Sequence, residues 1–446
     1  MRQARYSGLV KALMIFVFSL VSSKIWAQDS TIILTLQEAV ASALNNNKAI
    51  QLAKLDESIA QSNYRQTDAI FLPQLDFSYT AISTNNPLSA FGFKLQQKIV
   101  TQNDFNPQLL NDPGSRSDFT TKLDFRQPLI NMDMFYKRKA AAMQVGVYSY
   151  KTQRTKEYLK FEVHQAYLQL QLAYEAVRVL EDVLQTSNGI YSFTENRFKQ
   201  GLIQKSDMLN AQVQVTTAET SLAKAKNNIR NASDYLSVLM GQKEGVIYQA
   251  ENALQQEIPA YDSVHTITAN RSDFLAMQTA IDASDLVIKG NKTSYLPKLN
   301  AFGSYQLNDN SMFGFGANAW LAGVQLSWNI FRGNSTKHIV AAQVAERNKL
   351  QQQLIQQKEQ SQVELNKAYR DLSDARFDIK QQTLSIEQSS ESLLILQNRY
   401  RQGLVNTTDI LMAGTQLSQK KMALAQAVYT ADVIQAYLGL LTVENK

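Results

Sequence analysis

The sequence predicts an α+β membrane protein. It is built from a duplicated helix–strand–strand–helix unit, with long coiled-coil helices and four strands that alternate apolar and polar residues. Three observations carry this. The stretch NRFKQGLIQKSDML (196–209) returns as NRYRQGLVNTTDIL (398–411), 202 positions later and identical at seven of fourteen places. All seven prolines avoid the tracts 129–258 and 298–446. A proline inside a helix costs about 3 kcal/mol, so both tracts are free to hold long helices. Between the helical stretches the hydrophobic period changes from helical to two.

The chain opens like a secretory signal over residues 1–27. Arg2, Arg5 and Lys11 surround or precede an apolar run, Leu13 to Val21, and Ala27 offers a small residue at a cleavage point. That run is too short to span a bilayer as a helix, and a retained N-terminal anchor is the alternative. Removing 1–27 takes four basic residues and no acids, so net charge falls from +6 to +2. The basic balance is thus largely that of the leader and gives no reason to expect nucleic-acid binding. The chain has no cysteine, hence no disulfide, thiolate metal site or lipid-carrying cysteine. Beyond the leader no apolar run is long enough for a membrane helix, so any spanning part must be made of strands.

The first repeat occupies 28–240. A helix is expected over Leu36–Ile70, then a strand hairpin within about 72–130. Leu75, Phe77 and Tyr79 share one face of its first strand. Phe119, Thr121, Leu123 and Phe125 alternate with Thr120, Lys122, Asp124 and Arg126 on its second. The polar, proline-bearing stretch between them, about Thr84 to Ser117, reads as a long loop. A helix of roughly 100 Å follows from about Asp133 to Lys199. Its Leu159, Val163, Ala166, Leu170, Ala173, Val177, Leu180 and Leu184 recur at spacings of four and three, the pattern of a coiled-coil seam. After the turn at Gly201 a further helix is expected from Ile203 to Leu239.

Residues 241–270 link the repeats, and the second repeat runs over 271–435. YLPKL (295–299) answers FLPQL (71–75), and SWNIF (327–331) answers RQPLI (126–130). The second hairpin, about 296–331, has a shorter Gly-rich loop, Asn308 to Asn318. Trp320, Ala322, Val324, Leu326 and Trp328 form the apolar face of its second strand, whereas its first, Leu299 to Leu307, is ambiguous. Leu365, Ala368, Leu372, Ala375, Ile379 and Ile386 repeat the seam, with Gln382 as a polar exception. Residues 436–446 are read as a tail. Four strands cannot close a barrel and open edges cannot sit in lipid, so copies must associate; three would supply twelve strands.

The ordered set of signals, each present twice, resembles the TolC-type outer-membrane channel family, the exit ducts of tripartite efflux pumps and type I secretion systems. It comprises the strand entries Leu72-Pro73 and Leu296-Pro297, the strand-to-helix motifs Gln127-Pro128-Leu129 and Trp328-Asn329-Ile330-Phe331, and the two Arg-aromatic-x-x-Gly-Leu turns. The resemblance implies a homotrimer whose twelve-stranded barrel sits in outer-membrane lipid above an α-helical tunnel in the periplasm of a Gram-negative bacterium. Below it dock a periplasmic adaptor and an inner-membrane transporter, and 241–270 with the C-terminal tail form a belt. The expected function is a passive exit duct of an efflux pump, opened at its periplasmic tip by docking. A type I protein secretion duct is the alternative, and a periplasmic coiled-coil scaffold without a channel is the alternative of another class.

The two glycine turns then look like the periplasmic tips. Gly accepts a positive φ where the chain reverses, while Ser206-Asp207 and Thr408-Asp409 are expected to cap the restarting helices. A plain structural hairpin suffices to explain that much. The resemblance adds a gate in which Tyr400 matches the latch tyrosine, Asp207 its partner and Asp409 a ring aspartate. The chain departs from the family at Val405, where a gating arginine is often found, and at Met412, where a second aspartate ring would stand. Adaptor contact is expected from Gly201, Leu202, Gly403 and Leu404 with Arg197 and Arg399. No catalytic constellation, cofactor motif or metal-ligand spacing appears, so no enzyme is expected; His164, His265 and His338 lie far apart.

Overall fold

A computed structural model describes residues 31–254 and 266–443. The leader reading at 1–27 lies outside them, as do His265 and parts of the linker and tail. The described chain divides into two compact units. One takes the described residues among 1–47, 159–262 and 368–438, and the other those among 48–158, 263–367 and 439–446.

In chain order the elements are β1 (Thr31–Leu34), α1 (Leu36–Asn46), α2 (Lys48–Gln66), β2 (Gln74–Thr84), α3 (Pro87–Gln96), α4 (Pro107–Asn111) and β3 (Arg116–Ile130). Then come α5 (Met132–Lys199), α6 (Lys205–Met240), β4 (Ile247–Ala250), α7 (Ser272–Lys292), β5 (Lys298–Asp309), β6 (Ala317–Ser327), α8 (Ser335–Arg401) and α9 (Thr407–Thr442). The duplicated order is the one expected. Among the described residues no helix is long and apolar enough to cross a membrane.

Four corrections follow. The single helix expected over Leu36–Ile70 breaks at Asn47, whose backbone turns extended (ψ 136°) while its buried side chain donates to the Leu239 carbonyl at 2.8 Å. The stretch read as a loop between β2 and β3 contains α3 and α4, each started by an Asn cap followed by proline. The tail expected from 436 is helix as far as Thr442, because Leu438, Leu440 and Leu441 are buried apolar side chains that extend α9. The linker holds β4, which pairs in parallel with β1, Thr31 opposite Ile247 through Leu34 opposite Ala250. Tyrosines of α5 fasten both strands: Tyr167 donates to the Leu34 carbonyl at 2.9 Å and Tyr174 to the Tyr248 carbonyl at 3.0 Å.

The larger sheet is antiparallel, in the order β2-β3-β5-β6. Its register aligns the alternating faces. Phe77 lies opposite Leu123, Leu123 opposite Tyr305, and Tyr305 opposite Trp320. On this face Phe77, Trp320, Val324 and Leu326 are 71, 77, 63 and 66 % exposed, far more apolar surface than water tolerates in one patch. The other face carries ion pairs, Arg126–Asp76 at 2.6 Å and Lys122–Asp124 at 3.0 Å. The register also resolves the ambiguous strand. Phe302 of β5 falls on the polar face opposite Gly323, where any Cβ would come within 2.9 Å of its ring, so the glycine makes room for the misplaced aromatic.

The seam is the core of the long helices. Val163 and Leu170 of α5 and Leu365 of α8 are fully buried, and Ala166, Ala173, Ala368 and Ala375 are buried too.

Candidate functional site

Both tip turns close in the same way. At the end of α5, Gly201 takes φ +72°, its N–H reaches the Phe198 carbonyl at 2.8 Å and that of Leu202 reaches Arg197 at 2.9 Å. At the end of α8, Gly403 takes φ +76°, with its N–H on the Tyr400 carbonyl at 3.0 Å and that of Leu404 on Arg399 at 3.0 Å. This paired pattern satisfies the last carbonyls of a helix and needs a residue that accepts positive φ. Leu202 and Leu404 come out 60 and 62 % exposed.

The restarts differ from expectation. Ser206 and Thr408 lie inside the first turns of α6 and α9 rather than capping them. The Asn406 side chain caps α9, accepting the Asp409 N–H at 2.8 Å, while α6 starts after Gln204 with no side-chain cap bond. Asp207 and Asp409 do occupy the first turns, where the helix dipole favours a negative charge. Asp409 is exposed and Asp207 half-buried.

Tyr400 is buried, and its partners are two threonines. Its hydroxyl lies 2.9 Å from Thr194 Oγ1 and 2.9 Å from Thr407 Oγ1. Thr194 is itself fully buried and donates to the Ile190 carbonyl at 2.7 Å. A hydroxyl has one proton, so Tyr400 must donate to Thr194 and Thr407 must donate to Tyr400. An ionised carboxylate only accepts, so Asp207 could bond this hydroxyl only by displacing Thr194. Within the chain the expected Tyr400–Asp207 link is therefore replaced by a directed Thr407–Tyr400–Thr194 chain.

Around it lies an apolar cluster of Ile190, Ala211, Leu393, Ile410, Leu411 and Ala413, with Val405 packed against it. An arginine at 405 would lose that packing. The Phe193 and Tyr400 rings meet at 5.2 Å and 54°. Arg197 covers the second turn: its guanidinium sits 5.7 Å from the Phe193 ring and donates to the Tyr400 carbonyl at 3.3 Å. Arg197 is thus held within the tip as a cap on the end of α8, where a cation is favoured. Arg399 is exposed, and Met412 is 67 % exposed. Thr194 and Thr407 escaped the sequence reading. Thr194 was within reach, because extending the seam past Leu184 by three, four and three gives Ser187, Tyr191 and Thr194.

Among the described residues no group of His, Cys, Asp or Glu could hold a metal ion. His164 is half-buried in α5, and burial pushes its imidazole pKa down.

A family model described as outer membrane efflux protein matches residues 39–242 and 264–442. The probable outer membrane lipoprotein SilC of Salmonella typhimurium is 25 % identical over 410 residues, 88 % of this chain and 82 % of the relative. The cation efflux system protein CusC of Escherichia coli K12 is 24 % identical over 420 residues, 90 % and 85 % of the two chains. Among solved structures, CusC superposes with a TM-score of 0.77 at 18 % identity, over 92 % of this chain and 93 % of the other. VceC of Vibrio cholerae superposes with 0.72 at 17 % identity, over 91 % and 95 %. These likenesses establish a shared fold.

Proposed function

Because the chain belongs to the outer membrane efflux protein family, whose members are transport ducts and not enzymes, we propose that it assembles as a homotrimer in the outer membrane of a Gram-negative bacterium and serves as the passive exit duct of a tripartite efflux pump. The observation that carries this is the open sheet: among the described residues both edge strands, β2 and β6, lack an outer neighbour, and one face is exposed and apolar. The open edges are intolerable in lipid and the apolar face is intolerable in water, so a lone chain is at home in neither. Pairing β6 of one copy with β2 of the next closes twelve strands from three copies and turns the apolar face to lipid. The coiled-coil helices then form the periplasmic tunnel, and the two glycine turns its entrance.

At that entrance a periplasmic adaptor meets the exposed Leu202 and Leu404 beside Gly201, Gly403 and Arg399, while an inner-membrane transporter supplies the energy. Arg197 contributes by holding the second turn in shape. Tyr400 acts as an internal latch, and the Asp409 carboxylates of three copies form a ring that draws cations. Asp207 adds negative charge beside them, and Met412 replaces a second carboxylate ring with an uncharged one. CusC is named for cation efflux, and the Asp409 ring favours the same cargo class here.

The test is to purify the chain from outer-membrane fractions and record it in planar bilayers. Heat-modifiable trimers with cation-preferring conductance are expected, with that preference reduced in Asp409→Ala. A stable monomer in detergent-free buffer overturns the duct. Unchanged selectivity removes Asp409 from the pore. Co-purification with a protein-exporting transporter reassigns the duct to type I secretion.

A further inference from the structure

The segment between β2 and β3 is a folded body. Asn86 Oδ1 accepts the Ser89 N–H at 3.1 Å to start α3, and Asn106 Oδ1 accepts the Gln108 N–H at 3.0 Å to start α4. Lys94 of α3 forms an ion pair with Asp104. The Lys94 contact, with bonds from the Thr101 N–H and hydroxyl, holds the Asp104 carboxyl down at about 2. The pair is therefore intact at every pH above the ordinary carboxylate range. Phe91 packs edge-on against Phe105 at 5.6 Å.

This body is seated on one particular face of the sheet. Asp118 of β3 shares a face with Thr120, Lys122 and Asp124, the polar one. Gln97, immediately after α3, donates its Nε2 to Asp118 Oδ1 at 2.8 Å and to the Ser117 carbonyl at 2.9 Å. From β5, Asn308 Nδ2 donates to Asp118 Oδ2 at 2.9 Å and to Thr120 Oγ1 at 2.8 Å. Gln97, Asp118 and Asn308 are 6, 2 and 2 % exposed. α3 packs against β3 and β6. Ala90 of α3 is buried, as is Ala317, the β6 partner of Asn308. Lys98 Nζ adds a contact to Asn318 Oδ1 at 3.2 Å. A carboxylate is buried at this cost only where donors are fixed around it, so the cluster specifies one seat for α3.

We propose that α3 is an outer constriction of the channel, seated across the lumen face at the hairpin end by the positioning residues Gln97, Asp118 and Asn308, and that it sets the size of solute that passes the mouth. This rests on the duct reading, which makes the polar face the lumen. Three inward helices in a trimer narrow the mouth, whereas a body serving only to stabilise the hairpin has no reason to be locked to the polar side.

The test uses the absence of native cysteine. Ser304 lies on the same polar face, opposite Asp124 and so deeper along β5 than Asn308. In intact cells, Ser304→Cys is exposed from outside to a small membrane-impermeant maleimide and to one carrying a long poly(ethylene glycol) chain. The small reagent is expected to label and the large one to be excluded. Adding Asp118→Ala, or Gln97→Ala should that strand variant not insert, is expected to raise labelling by the large reagent severalfold and leave the small one unchanged. Equal exclusion of the large reagent before and after the change overturns the constriction while leaving the duct intact. Failure of the small reagent to reach Ser304→Cys in correctly inserted protein overturns the duct reading itself.

Discussion

Tyr400 shows how a single buried hydroxyl sets a local structure. The proton order forced by Thr194 makes it donor to one threonine and acceptor from the other, tying α8 to α5 and to the first turn of α9. Tyr400→Phe leaves the buried Thr407 hydroxyl proton without its acceptor, while Thr194 keeps its bond to the Ile190 carbonyl, with an expected cost of about 1–3 kcal/mol. Limited proteolysis at the tip and thermal unfolding of the detergent-solubilised protein should both report it. An unchanged melting curve with unchanged protection would mean the threonine chain contributes nothing. Arg197 has the opposite lesson. A basic residue before a glycine turn reads as a solvent-facing contact, and nothing local signals that it folds over the other repeat's turn to reach the Tyr400 carbonyl.

At the scale of elements, the glycine positions separate conformation from packing. Gly201 has positive φ but open space where a Cβ would be. Gly201→Ala should therefore cost only the left-handed backbone penalty, about 1 kcal/mol. Gly241 also has positive φ (+65°), but a Cβ there would lie 2.6 Å from the Asn46 carbonyl oxygen. Gly241→Ala must push α1 away and should lower the unfolding temperature clearly more than Gly201→Ala; equal losses would refute the packing account. At Gly403 a Cβ would come within 3.0 Å of Arg197 Nη2. Gly403→Val should disturb the second turn and weaken adaptor crosslinking more than trimer insertion. Loss of insertion with normal crosslinking would contradict this. The long helices and both turns were readable from periodicity and glycine placement. The four-residue strands β1 and β4 were not, since so short a pairing leaves no repeating pattern.

At the scale of the whole molecule, the four-stranded sheet poses the problem that the proposed association of three copies would solve. Among the described residues its outer strands, β2 and β6, each offer an unpaired edge. In the cysteine-free background, Ser78→Cys on β2 combined with cysteines scanned along the polar face of β6 (Ala319, Leu321, Gln325) should give disulfide-linked species. The ladder should end at a trimer in membranes. A ladder ending at a dimer, or none at any position, would exclude the twelve-stranded closure.

By itself the sequence determined the features that depend on neighbours within a turn or two: the long helices, the strands that alternate, the two glycine turns, and that the whole plan is written twice. Only the tertiary structure decided that β1 pairs with β4, that Tyr400 bonds threonines and not Asp207, and that α3 sits on the polar face through Gln97, Asp118 and Asn308. Those choices join residues far apart along the chain. Their energy comes from burying and satisfying particular polar groups together, and no local periodicity records which distant partner will do so.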